Sequence, residues 1–349
     1  MIDFNKKLFI GDINKLIVHF VGNKNDGDGV KFSENFTDLI NVEDYFKQLI
    51  NKNFISDELH QFYFNPRIQL NPMFQFISSI FERGELFLEA SNHIARYLYD
   101  KSVHPQIKKG ELCIFYIKDC RIDDEILDCV GIFKSENKDV ILKIDKTESD
   151  LVLESSTGMS TTKLDKGCLI FNTEKENGFL VSVVDKTNKN GEAQYWKDNF
   201  LGVQPIENEY HKTNEFLGIT KKFVTQELST NEEVSKADQI NILNKSVEYF
   251  KNNETFDNGD FEEQVFNNND VLNSFKKFNK SFQEENNVQI PSEFSISKQA
   301  VKKQSRAFKK VLKLDKNFHI YIHGDRDLIE QGTETDGRKF YKIYYDSEQ

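Results

Sequence analysis

Proline and glycine are scarce in this chain, at five and 17 of 349 residues. That is too few for a collagen-like or long flexible polypeptide. Cysteine is scarcer still. Four residues (Cys113, Cys120, Cys129 and Cys168) in so long a chain make no disulfide framework. No apolar run approaches the ~18 residues that cross a bilayer, so no membrane span is expected. The opening stretch, Met1 to Ile10, carries Lys6 and Lys7 but no following apolar segment or small-residue cleavage site, so it does not read as a signal peptide. Hydrophobic residues make up 38% and charged residues 30%, an ordinary globular composition. The expectation is a cytoplasmic protein with a core rich in Phe and Tyr, which number 31 and 12.

The net charge is -11, from 46 basic and 57 acidic residues, which excludes a histone-like polycation. The distribution is uneven. Residues 1–205 and 206–290 each carry a net -7, whereas 291–349 carry +3. Within that last part, Lys298 to Lys316 holds eight basic residues and one acid, Asp315. Such a segment can bind a polyanion locally, with strong salt dependence.

The periodicities divide the chain. Lys15 to Val21 is β-branched and apolar and reads as a strand, followed by a turn-rich loop from Asn23 to Gly29. Tyr45, Phe46, Leu49 and Ile50 recur at helical spacing, as do Phe74, Ile77, Ile80 and Phe81, and Phe87 to Tyr99 continues as a helix. His104-Pro105 marks a boundary, because the residue before proline is driven out of helical geometry. Short strand-like runs follow: Glu111–Ile117, Ile126–Phe133, Val140–Ile144, Leu151–Glu154, Cys168–Phe171 and Gly178–Val184. Their spacing predicts an antiparallel meander. Trp196, Phe200 and Leu201 open a further region of helices, Phe216–Leu228, Glu233–Phe250 and Phe266–Phe282. The end alternates at Phe318–His323 and again at Lys339–Tyr345, which predicts one hairpin with a long loop. The fold class is α+β: N-terminal helices plus an antiparallel sheet, then a helical subdomain closed by a C-terminal β-hairpin. The expected divisions are 1–203, 204–290 and 291–349.

The chemistry-bearing residues do not converge in sequence. His319 and His323 would sit about 13 Å apart along a strand, too far for one metal, and no HExxH occurs. The cysteines form no CxxC pair and read as small buried hydrophobes. Asp123-Asp124-Glu125 lies between two strand-like runs, and Asp128 with Lys134 offers a thin case for a metal-dependent nuclease; a solvated hairpin tip explains the acids as well. No catalytic residue, metal site or cofactor is assigned. The basic segment is the strongest local signal. As one helix over Ser297–Leu314, it would place Ala300, Val301, Ala307, Phe308, Val311, Leu312 and Leu314 on one arc. Lys298, Lys302, Lys303, Arg306, Lys309, Lys310 and Lys313 would fill the other. A helix ending near Arg306 with a strand from Phe308 fits equally. By itself the run also reads as a solvated face balancing acidic neighbours.

Several strings together resemble a known family. They are Leu16-Ile-Val-His19, His104-Pro105 with KKGELCIF at Lys108–Phe115, QYWKDNFL at Gln194–Leu201, Lys302-Lys303-Gln304, Leu314 to Gly324, and Phe340 to Tyr345. In this order, and over nearly the whole chain, they resemble the bacterial nucleoid-associated proteins often called NdpA. The resemblance implies residence on the bacterial nucleoid, DNA binding and chromosome organisation, with no assigned enzymatic activity and no defined site to carry over. Mapping DNA contact onto the seven cations is an inference from charge. The expected function is therefore a non-enzymatic, sequence-tolerant binder of double-stranded DNA phosphates. The alternative is a scaffold brought to the nucleoid by a DNA-processing protein, with a homodimer as a further candidate assembly.

Overall fold

The computed structural model describes residues 8–54, 58–122, 125–146, 150–186, 195–230, 234–286, 288–308, 311–314, 317–322 and 328–347. The chain divides into two compact units, 1–206 and 207–349. The fold is α+β.

In chain order the first unit comprises β1 (Asp12–Val21), β2 (Val30–Lys31), α1 (Glu43–Asn53), β3 (Leu59–Phe62), α2 (Pro72–Glu82), α3 (Phe87–Lys101), β4 (Gly110–Ile122), β5 (Glu125–Ser135), β6 (Lys138–Lys146), β7 (Leu151–Met159), β8 (Lys166–Phe171), β9 (Leu180–Asp185) and β10 (Val203–Pro205). Eight of the strands form one sheet in the order β10-β3-β9-β8-β5-β4-β1-β2, with antiparallel neighbours. Successive strand side chains point to opposite faces. Leu112, Ile114, Val130 and Ile132 therefore enter one core, under Phe74, Ile77 and Ile80 of α2 and Ala90, Ile94 and Leu98 of α3. Cys113, Phe115, Ile117 and Phe133 enter the other, under Phe46, Leu49 and Ile50 of α1. Burial on both faces explains why β4 and β5 read as nearly continuous apolar runs.

Local chemistry sets the element ends. Asn71 caps α2: its side chain accepts from Phe74 N, and Pro72 occupies the first turn, where its missing N–H is harmless. The same amide donates to the carbonyls of Tyr63, Leu201 and Gly202 at 3.0–3.1 Å, which ties the end of the unit to its middle. Trp196, Phe200 and Leu201 consequently lie in the core of the first unit rather than opening a helical region. The ninth strand begins at Leu180, two residues later than the apolar run predicts, because Gly178 and Phe179 have φ of 108° and 56°. A Cβ at Gly178 would lie 2.4 Å from the Phe62 carbonyl oxygen, so the turn requires glycine there. The expected meander is also interrupted. Among the described residues, β6 and β7 pair only with each other, outside the large sheet.

The second unit contains α4 (Glu209–Lys222), α5 (Lys236–Asn252), β11 (Thr255–Asp257), α6 (Asn258–Val265), α7 (Asn269–Asn286), β12 (Glu293–Ser295), α8 (Lys298–Ala307), β13 (Val311–Leu314), β14 (Phe318–Tyr321), β15 (Ile329–Thr333) and β16 (Lys339–Ile343). Its core is built of phenylalanine. Phe256 stacks on Phe250 and Phe294 with ring centres 5.4 and 4.7 Å apart, and Phe216 meets Phe256 at 4.4 Å. Such ring pairs add about 0.5–1.5 kcal/mol each beyond burial. The chain end differs from the single hairpin expected. Phe318–Tyr321 pairs with Val311–Leu314, and Lys339–Ile343 pairs with Ile329–Thr333. Both hairpins bring apolar residues, Leu312 and Ile329 among them, against Ala237 and Ile240 of α5. His323 lies outside the described residues.

One buried histidine makes the first unit sensitive to acid. His19, 1% exposed, accepts at Nδ1 from Ser33 N at 3.1 Å, so Nε2 carries the proton and donates to Ser91 Oγ at 3.0 Å. Burial lowers its pKa from 6.5 to about 4. The unfolded chain therefore takes up this proton first, and the fold weakens as pH falls from 6.5 towards 4, by up to about 1.4 kcal/mol per pH unit. In urea titrations over this window, the wild type should lose stability more steeply than His19→Asn. Parallel pH profiles would refute this role.

Candidate nucleic-acid interface

The basic segment resolves into a helix and a strand, the second of the two arrangements left open by its sequence. Ser297 caps α8 by accepting from Ala300 N, and the helix ends before Phe308, whose ψ of 112° is extended. Ala300, Val301, Phe308 and Leu312 are buried, at 0–4% exposure. Polar contacts fix the same side of the helix. Ser297 N donates to Thr213 Oγ1 at 3.0 Å, and Gln304 Nε2 donates to Asn214 Oδ1 at 2.7 Å, both acceptors on α4.

With that side occupied, the cations are turned to solvent. Lys298, Lys302, Lys303 and Arg306 are all exposed on α8, and Lys313 is exposed on β13. Lys298, Lys302 and Arg306 follow each other at intervals of four, a stripe with ~6 Å between neighbours. None of these three, nor Lys313, has an ion-pair partner among the described residues. The Lys303 ammonium lies 5.5 Å from the centre of the Tyr210 ring, a cation–π contact that aims it beside the stripe. No Asp or Glu occurs from Phe294 to Leu314. Lys309 and Lys310 lie outside the described residues. The structure thus brings Lys298, Lys302, Lys303 and Arg306 onto one helix and sets Lys313 on the strand that follows.

The nuclease constellation does not assemble. Asp128 accepts from the Tyr116 hydroxyl at 2.6 Å, while Lys134 stands six residues further along β5, ~20 Å away by strand rise. Asp123 and Asp124 lie outside the described residues. Among the described residues, no group of three His, Cys, Asp or Glu could hold a metal ion. All four cysteines are buried and unbridged, and burial pushes the Cys113 thiol up to about 12. A 670 Å³ depression between α6 and α7 is lined by Glu262, Lys276, Lys280 and Glu284, which pair with one another as ordinary surface charges.

One polar cluster escaped the sequence reading. Lys134, with no side-chain exposure, donates to the Lys108 carbonyl at 2.6 Å, Glu136 Oε1 at 3.1 Å and the Tyr195 hydroxyl at 3.2 Å. Tyr195 in turn donates to Glu136 at 2.9 Å. Beside them Lys166 pairs with Asp185 at 2.8 Å, and Asp165 accepts from Glu136 N and Asn137 N. Desolvation lowers the Lys134 pKa and raises that of Tyr195. All three ammonium donors of Lys134 are satisfied in a closed network, so the cluster braces the strand ends and offers no open position to a substrate. A lysine two residues before a glutamate in a strand carries no sequence signal that would have revealed it.

These features define a two-unit α+β protein whose surface includes an acid-free cationic helix and whose buried charges are spent on structure. The family model described as nucleoid-associated protein YejK matches residues 17–348, and the chain belongs to that family of bacterial nucleoid-associated proteins. No curated protein matches the sequence significantly. No helix among the described residues is long and apolar enough to cross a membrane.

Removing one member of the Lys134 cluster leaves a buried charge uncompensated, at a cost of about 3–5 kcal/mol. Urea unfolding of Lys134→Ala should show that loss, whereas Lys302→Ala should shift stability by less than about 0.5 kcal/mol. Equal unfolding midpoints for the two variants would contradict the assignment of Lys134 to structure and Lys302 to a free surface.

Proposed function

We propose that this nucleoid-associated protein binds double-stranded DNA directly, through phosphate contacts from Lys298, Lys302, Lys303, Arg306 and Lys313, with Lys309 and Lys310 completing the set. The observation that carries this reading is the acid-free cationic stripe on a helix whose opposite side is pinned by Val301 and Gln304. Contacts of this kind position a protein on a duplex without reading bases, so binding is sequence-tolerant. The net charge of -11 confines attraction to this segment and makes it weak at high salt. The reading is non-enzymatic. It is supported by the separation of Asp128 from Lys134 and by the sequestered thiols.

A second reading, association through a DNA-processing partner, is favoured by the same acidic total, which opposes close approach of the rest of the chain to DNA. Fluorescence anisotropy on a labelled random duplex separates the two. At about 0.9 per neutralised phosphate, log K should fall against log salt with a slope of about -4.5 if the five described cations act and about -6.3 if all seven do. Lys302→Glu/Lys303→Glu/Arg306→Glu should abolish binding at moderate salt and leave the circular dichroism melt unchanged. Undiminished affinity in that variant would remove the site. No binding of the wild type at low salt would favour the partner.

A further inference from the structure

The ribbon formed by β6 and β7 carries a surface that neither the sheet nor the basic segment explains. It has nine residue pairs in register, from Lys138 opposite Met159 to Lys146 opposite Leu151. Residues paired across an antiparallel ladder share a face. One face therefore bears Val140, Leu142 and Ile144 of β6 with Leu151 and Leu153 of β7, each 63–68% exposed, with Lys138 and Lys146 at its two ends. The other bears Asp139, Lys143, Asp145 and Glu154, with Lys143 paired to Asp145 at 2.7 Å, and only Ile141 and Val152 as large apolar members. The ribbon is amphipathic, but its apolar side meets solvent.

An isolated two-stranded hairpin is marginal in water, and a contiguous aliphatic strip of this size marks an interaction surface. We propose that the strip is a homodimer interface: the β6–β7 ribbon of one copy packs face to face on that of a second copy. Three features favour this occupant. The strip itself, Val140, Leu142, Ile144 and Leu153, carries no charge: the three acids of the ribbon lie on its other face, and the two lysines of this face sit at the ends, Lys138 paired with Glu111 and Lys146 beside Leu151. Two copies can therefore meet here with little of the repulsion that acts elsewhere. A two-fold contact also covers the same strip on both chains at once, closing the assembly. Finally, burying five aliphatic side chains at ~100 Å² each removes about 1,000 Å² over both copies, the lower bound for a specific interface. Two ribbons stacked ~10 Å apart would form a small four-stranded sandwich. The interface is independent of whether the chain touches DNA.

Sedimentation velocity on the full chain, from about 1 to about 100 μM, should show a concentration-dependent species of twice the chain mass. Leu142→Thr/Leu153→Thr keeps strand-forming residues and should raise the dimer dissociation constant at least tenfold, with the melt unchanged. Ile141→Thr, on the charged face, should leave it unaltered. A flexible bis-maleimide should link Leu153→Cys chains into dimers but spare the wild type, whose four cysteines are buried. A wild type that stays monomeric throughout, or a dimer that survives both threonines, would overturn the proposal. So would a monomer that loses binding to phosphatidylcholine vesicles on the same substitutions, since that would give the strip to lipid.

Discussion

Everything in the first unit depends on one requirement: a sheet whose central strands must be covered on both faces. The paired strands β4 and β5 send Leu112, Ile114, Val130 and Ile132 one way and Cys113, Phe115, Ile117 and Phe133 the other. Neither set can meet water without losing roughly 1.5–3 kcal/mol per large side chain. Helices α2 and α3 cover one set and α1 the other. The Asn71 amide then closes the arrangement by gathering three backbone carbonyls from two distant segments. A late piece of chain, Trp196 to Leu201, is held in the core in this way, and the Trp196 indole donates to the Gly167 carbonyl at 3.3 Å.

Charge is handled differently in the buried and the exposed parts of the molecule. Lys134, Glu136 and Tyr195 are withdrawn from solvent and satisfied within one network, which exchanges hydration for fixed partners. The charges of α8 remain hydrated and uncommitted, with the exception of Lys303 beside Tyr210. In a chain of acidic total charge, α8 is an acid-free cationic surface, which is what the proposed DNA contact rests on. Phosphate contacts of the proposed kind weaken steeply as salt rises.

The β6–β7 ribbon shows the limit of local chemistry in another way. Its alternation is that of any half-buried strand, and in most sheets the apolar half would face the core. Here no described residue covers it, and the proposed second copy would supply that layer.

Periodicity alone placed the helices that became α1, α2 and α3 and the strands that became β1, β4 and β5, because their apolar spacing reflects which face each element buries. The cationic stripe was equally legible, since charge is written directly in the residues. Other features were not. Alternation in Phe318–His323 and Lys339–Tyr345 says which side chains face inward but not which strand lies alongside, and each found a nearer partner at Val311–Leu314 or Ile329–Thr333. The end of α8 depended on Phe308 and Leu312 reaching apolar cover in the second unit. The burial of Lys134 depended on Glu136, Tyr195 and the Lys108 carbonyl converging from separate stretches of chain. Local periodicity and charge are properties of neighbouring residues and can be read in one dimension. Strand partners and buried ion networks are contacts between residues far apart in sequence, and only the packed chain decides them.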